Sequence, residues 1–282
     1  MKRILLVVMF LMGVYCGFAQ DAAEMINNAN EALKSKDYAK AFELYDKAMK
    51  NLGDVQVDAA INYNIGYAAF QIEKYDEAIA YLDKAIAANA NAASAWEFKG
   101  NSYAKMKKYN EAVDAYLKAI DAGAENKGSI YYNAGIVAYK GGMYEKAADL
   151  FGQAVEENYN GDTATFYKAV SLKKLDKDDE YKETLLEGVQ KFPDNKKLKS
   201  SLANVYVSEG NELYKKGVAI INAANAKVKA GTLKTTDAGY NAEIDKSKVQ
   251  FKDALSVLEK AIAVDASNAN AKKLIEACKS VL

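Results

Sequence analysis

The sequence predicts an all-α chain built as a solenoid of stacked antiparallel helical hairpins, and three observations predict it. There is one proline in 282 residues, among abundant Ala, Lys and Glu, a composition that favours helix. Apolar and small residues recur at i, i+3, i+4 and i+7, the spacing of one helical face. One set of these residues also returns at a nearly fixed interval. Gly66, Gly100 and Gly135 are separated by 34 and 35 residues, and Tyr75, Tyr109 and Tyr144 keep both steps. So do Ala78, Ala112 and Ala147, then Leu82, Tyr116 and Phe151, then Ala85, Ala119 and Ala154. Agreement in five registers marks a repeat, and hairpins that cannot bury their apolar face alone bury it by stacking.

The first residues read as a leader rather than as fold. Lys2 and Arg3 precede an uncharged stretch that lasts until Asp21, with an unbroken apolar run from Ile4 to Met12. The run from Ile4 to Ala19 is short of the roughly 20 apolar residues that a spanning helix needs. A basic start, an apolar middle and small residues at Gly17 and Ala19 fit a secretory signal over 1–19, cut between Ala19 and Gln20. Two alternatives stand beside it: a lipoprotein anchored through Cys16, and an uncleaved membrane anchor. Val14 and Tyr15 occupy the places where lipoprotein processing wants small residues. Removal of 1–19 leaves Cys278 as the single cysteine, which forbids an intramolecular disulfide framework.

The remainder, 20–282, reads as one solenoid domain. Its repeats fall at about 22–55, 59–92, 93–127, 128–161, 162–195 and 196–268, with an insertion at about 207–247 and a capping helix at 269–282. In the third, Trp96, Lys99, Gly100 and Tyr103 share a face of a first helix, and Ala112, Tyr116 and Ala119 share a face of a second. "KMKKYNEA" supplies the polar turn between them. Gly100 and Ala112 are small where two antiparallel helices approach most closely. The first repeat carries Ala29, Tyr38, Ala41, Tyr45 and Ala48, and the fifth carries Ala169, Leu172, Leu185, Gly188 and Pro193. The sixth begins with Leu202, Ala203 and Tyr206 and ends with Ala254, Leu258 and Ala261. Leu213, Gly217, Ile221 and Val228, then Ile244, Phe251, Leu255 and Leu258, keep helical spacing around the polar bend "KAGTLKTTDAG". The insertion therefore reads as a helical arm extending roughly 30 Å, at about 1.5 Å per residue. "NAKKLIEACKSVL" closes the chain as a helix covering the open end of the stack.

These residues resemble the tetratricopeptide repeat, a unit of about 34 residues with the pattern aromatic, Leu, Gly, Tyr, then Ala, Phe, Ala and Pro. Trp96, Gly100, Tyr103, Ala112, Tyr116 and Ala119 match it, with Lys99 in place of the leucine. The closing proline survives only as Pro193, so Asn and Gly residues are expected to end the other units. The resemblance implies a right-handed solenoid, non-enzymatic, whose concave face binds a peptide or protein segment. It builds that face from positions 2, 5, 6, 9, 12 and 13 of each first helix. Position 6 gives Asn27, Asn64, Phe98 and Asn133; position 5 gives Tyr63 and Tyr132; position 9 gives Tyr67 and Asn101; Tyr167 is the position-6 residue of the fifth unit. An asparagine amide donates and accepts at once, and so can grip an extended backbone. Tyrosine adds apolar area with a polar tip. The basic clamp of some family members is incomplete here, with Lys105 and Lys140 at position 13 and no matching cations elsewhere.

Charge and composition narrow the function further. Lys and Arg total 38 against 38 Asp and Glu, without the basic excess of a nucleic-acid binder. The chain contains no histidine, which excludes the usual triads and imidazole bases. No Gly-rich phosphate loop or Cys-x-x-Cys occurs. "DKDDEYKETLLE" spaces acids like a calcium loop but has Tyr181 where the turn glycine belongs. No enzyme, cofactor or metal is expected. The sequence points to an interaction scaffold in the periplasm or otherwise exported, with another protein or peptide of the bacterial cell envelope as partner. The alternative is a structural subunit of an outer-membrane or cell-wall assembly, docking through its convex face or its arm.

Overall fold

The computed structural model describes residues 21–53 and 55–282, which form thirteen helices and no strand. The expected leader at 1–19 and Cys16 lie outside the described residues. The chain divides into two compact units, the first ending at Gly161 and the second running from Asp162 to Leu282.

The first unit holds α1 (21–34), α2 (Tyr38–Lys50), α3 (Ile61–Gln71) and α4 (Tyr75–Ala87). It continues with α5 (Ala92–Lys105), α6 (Tyr109–Asp121), α7 (Lys127–Lys140) and α8 (Tyr144–Glu156). The helices pair as α3 with α4, α5 with α6 and α7 with α8, and each pair packs on the next. The repeated registers form the core. Ala78, Leu82, Ala85, Ala112, Ala119, Ala147, Phe151 and Ala154 have no solvent-exposed surface. Burying a side chain the size of Leu82 or Phe151 stabilises the fold by about 1.5–3 kcal/mol.

The same register also sets the turns. Lys36, Glu73 and Lys107 adopt positive φ of 63°, 63° and 59° just before α2, α4 and α6. Gly142, at φ 77°, does so before α8. Connections between hairpins end without proline: Asn89 and Asn91, then Asn158 and Asn160, take left-handed backbone. Asparagine tolerates that conformation better than most residues. Lys99 in the leucine register also has a physical reason. Its side chain is only 13% exposed and its ammonium pairs with Asp83. That ammonium lies 4.9 Å from the Trp96 ring centre, so the alkyl stem fills apolar space while the head keeps partners.

The second unit holds α9 (Gly161–Lys174), α10 (Asp178–Lys191), α11 (Lys196–Lys229), α12 (Ala238–Val264) and α13 (Ala269–Lys279). Asn195 caps α11 by accepting from the Leu198 N–H at 3.0 Å, and donates to Asp162 at 2.9 Å. Helices α11 and α12, with 34 and 27 residues, are the long hairpin that the insertion predicts. Their seam is organised in heptads of alternating size. Ala203, Gly210, Gly217 and Ala224 are the buried small residues of α11, and Ser247, Ala254 and Ala261 those of α12. Leu258 sits over Gly210 and Phe251 over Gly217: a Cβ on either glycine would come within 2.7 Å of them. In return the Tyr214 ring packs, tilted by 53°, with its centre 5.4 Å from that of Phe251. Each helix offers a small residue where the other offers a large one, which brings the two backbones close. Leu213 and Ile221 are half-buried and pack against the Phe251 and Leu258 cluster, and Val228 is half-buried further out along the arm. At the base, α13 places Leu274, Ile275 and buried Cys278 against Phe251, Ala254 and Leu258.

Candidate protein-binding face

The predicted face belongs to the first helices of the hairpins, and the structure assembles part of it into one ring cluster. Tyr63 and Tyr67, one helical turn apart on α3, lie parallel at 6.4 Å. Phe98 of α5 meets Tyr67 edge-on at 4.9 Å and Tyr63 at 6.2 Å. Tyr38 extends the cluster through Tyr67 at 5.7 Å, and Phe70 joins it through Phe98 at 5.4 Å. All five rings are half-buried. Phe98, which interrupts the row of position-6 asparagines, is the residue on which the other rings converge.

The asparagines divide into two groups. Asn27 is exposed on α1, and it lines a cleft of about 440 Å³ together with Asn64 of α3. Asn133 is half-buried on α7. Asn101 serves the packing, because its side-chain oxygen accepts from the Tyr116 hydroxyl at 2.6 Å. Asn30 does the same for Tyr45 at 2.6 Å. Both pairs are 15 residues apart. Where the second helix has Leu82 or Phe151 instead of tyrosine, the matching first-helix residue is Tyr67 or Ile136. Position-9 asparagine thus satisfies a buried phenol, which would otherwise cost about 1–3 kcal/mol. The recurrence of Asn and Tyr at one separation is the sequence signal that reveals this role.

Tyr132 lies 5.7 Å from the Tyr159 ring and 5.8 Å from that of Phe151. Tyr167 falls in the second unit, beside Phe166 at 5.6 Å.

The electrostatics suit recognition rather than proton transfer. Burial pushes Tyr45 above the ordinary tyrosine value, partly offset by a hydrogen bond from the Asn64 side chain. Tyr63 is raised by burial, with Ser94 opposing, and Tyr67 by its bond to the Tyr38 hydroxyl, then by burial. These phenols are neutral at neutral pH, acting as donors and acceptors and not as bases. Among the described residues no group of His, Cys, Asp and Glu side chains could hold a metal ion. No described helix is long and apolar enough to cross a membrane.

The tetratricopeptide repeat family profile matches residues 26–93 and, overlapping them, 63–127. A tetratricopeptide repeat-containing protein of Methanocaldococcus jannaschii is 28% identical over 139 residues, covering 49% of this chain and 24% of that protein. Peptidyl-prolyl cis-trans isomerase CYP7 of Saccharomyces cerevisiae is 31% identical over 121 residues, 36% of this chain and 31% of the isomerase. The chain therefore spans less than a third of the length of these curated relatives. A tetratricopeptide repeat structure from Parabacteroides merdae superposes over 92% of this chain and 99% of its own, at TM-score 0.50 and 19% identity. The profile match and the packing registers together identify residues 26–127 as tetratricopeptide repeats.

Proposed function

We propose that the protein is a non-enzymatic scaffold, exported to a bacterial cell envelope, that binds a segment of another protein on the first unit. The observation that carries this reading is the half-buried cluster of Tyr63, Tyr67 and Phe98 beside Asn27 and Asn64. Rings held rigid by packing present apolar area at little entropic cost, and amides at their border supply backbone-directed hydrogen bonds. Export rests on Lys2, Arg3, the apolar run from Ile4 to Met12 and the small residue at Ala19.

A second reading has its own observation. Helices α11 and α12 run to 34 and 27 residues where the helices of the first unit have 11 to 14. An arm of that length suits a structural subunit that docks through it. Affinity capture from the native envelope separates the two readings. The scaffold reading expects the Tyr67→Ala/Phe98→Ala variant to lose its partner and deletion of 210–250 to retain it. The reverse pattern would transfer the function to the arm.

A further inference from the structure

The connection between α2 and α3 sets the first repeat apart. Tyr38 and Tyr75 are 37 residues apart, whereas later repeats keep 34 or 35. The added residues do not form a surface bulge. Val55, Gln56, Val57 and Asp58 run without helix, turn or bend between the turns that flank them. Val57 packs against the core of the first unit, with Ile26, Ile61 and Ile65 in the same cluster. Asp58 is engaged locally, accepting from the Ala60 N–H at 2.8 Å. In this segment Val55 donates to Leu52 at 2.9 Å. Among the described residues, the N–H groups of Gln56 and Val57 and the carbonyls of Val55, Gln56 and Val57 have no hydrogen-bond partner.

This segment is one wall of the 440 Å³ cleft, and α1 and α3 form the other, with Asn27, Asn30 and Asn64 on it. Ile26 and Ile61 supply its apolar lining. Among the described residues, Asp58 is the one charged residue of the lining, and its carboxylate already accepts from the Ala60 N–H. A stretch of unpaired, unbent backbone facing a wall of amides across an apolar floor is suited to one chemical class of ligand. An extended peptide can exchange backbone hydrogen bonds with 55–57 on one edge and receive asparagine amides on the other. The cleft volume lies in the range of sites that bind a few residues of ligand.

We propose that this cleft binds an uncharged, extended peptide segment by pairing it as a strand against Val55–Val57. The proposal rests on the scaffold reading and locates its strongest anchor away from the ring cluster. β-Branched or other small apolar side chains at alternate positions of the peptide face Ile26 and Ile61, because a paired strand points every second residue the same way. Specificity for charge is weak, and affinity follows backbone hydrogen bonding.

The test is selection of a random heptapeptide display library on the full-length protein, followed by fluorescence anisotropy of the recovered peptides. Two variants are compared with the parent: Gln56→Pro, which removes one of the unpaired N–H groups, and Tyr67→Ala in the ring cluster. The recovered peptides are expected to be uncharged and β-branched at alternate positions. They should lose at least about tenfold on Gln56→Pro and a clearly smaller factor on Tyr67→Ala. N-methylation of their alternate backbone amides should abolish binding. Peptides sensitive to Tyr67→Ala and indifferent to Gln56→Pro would overturn the strand-pairing proposal while leaving the scaffold reading intact. Recovery of no peptide by any form of the protein would overturn both. A concentration-dependent dimer that Gln56→Pro abolishes would replace the peptide with a second copy of the chain and overturn the proposed occupant.

Discussion

Gly100 and Tyr116 share one space: a Cβ built on Gly100 would lie 2.9 Å from Cδ1 of the Tyr116 ring. The same relationship recurs with Gly66 and Leu82 at 2.7 Å and with Gly135 and Phe151 at 2.9 Å. The repeat therefore keeps a complementary pair, a missing side chain on the first helix and a large one on the second. Neither residue type alone would bring the helices together.

Gly100→Ala should destabilise the first unit by about 1–3 kcal/mol, because the buried tyrosine ring has no room to retreat. Gly152 makes the control. It lies inside α8 with nothing within 4 Å of the added carbon, and Gly152→Ala should stabilise by about 0.5–1 kcal/mol through helix propensity. Chemical denaturation of both variants measures the contrast.

The pairing of Asn101 with Tyr116 predicts a non-additive double mutant. Asn101→Ala leaves a buried hydroxyl unsatisfied and should cost about 1–3 kcal/mol. Adding Tyr116→Phe should recover a large part of that loss, since both polar partners are then gone. Equal and additive losses in a double-mutant cycle would show that the bond contributes nothing.

Alkaline pH should weaken the first unit through its buried phenols. Burial raises the Tyr116 and Tyr45 hydroxyls, with Glu97 adding to the effect on Tyr116. A raised folded-state value means the contribution is complete below the unfolded value of 10.0 and is lost as pH rises towards the folded one. Thermal melts across that range should fall more gently for Tyr116→Phe than for the parent.

In the arm, Gly217→Leu should force α11 and α12 apart at Phe251, at a cost of about 1–3 kcal/mol. Limited trypsinolysis of the parent should cut the arm only near Lys229 and Lys234, at the bend. In the variant, cleavage should spread to Lys215, Lys216, Lys248 and Lys252, with the first unit's melting unchanged.

Much of this architecture was legible because stacking imposes one spacing on many residues. Gly66, Gly100 and Gly135 announce the repeat, and the tyrosines and alanines beside them confirm its phase. Less legible were features that occur once or that depend on partners. The Asn30–Tyr45 and Asn101–Tyr116 bonds are encoded only in a shared separation of 15, which a reading of position 9 as ligand-facing passes over. In the arm Gly217 was visible beside its apolar neighbours, but Gly210 and Ala224, which continue its heptad, were not, because small residues are hidden among polar ones. The Val55–Val57 wall left only a 37-residue step in place of 34, because an extended segment of three residues has no periodicity to detect.

The central claim is that the first unit's ring cluster and cleft, and not the arm, engage the protein's partner. Crosslinking and mass spectrometry of the tagged protein in its own cell envelope tests it most directly. The account predicts crosslinks from the exposed Lys34 and Lys105 of the first unit to a segment of a single partner. Crosslinks to a complex confined to Lys227, Lys229 and Lys234 would contradict it, making the arm the functional element and the rings and asparagines packing.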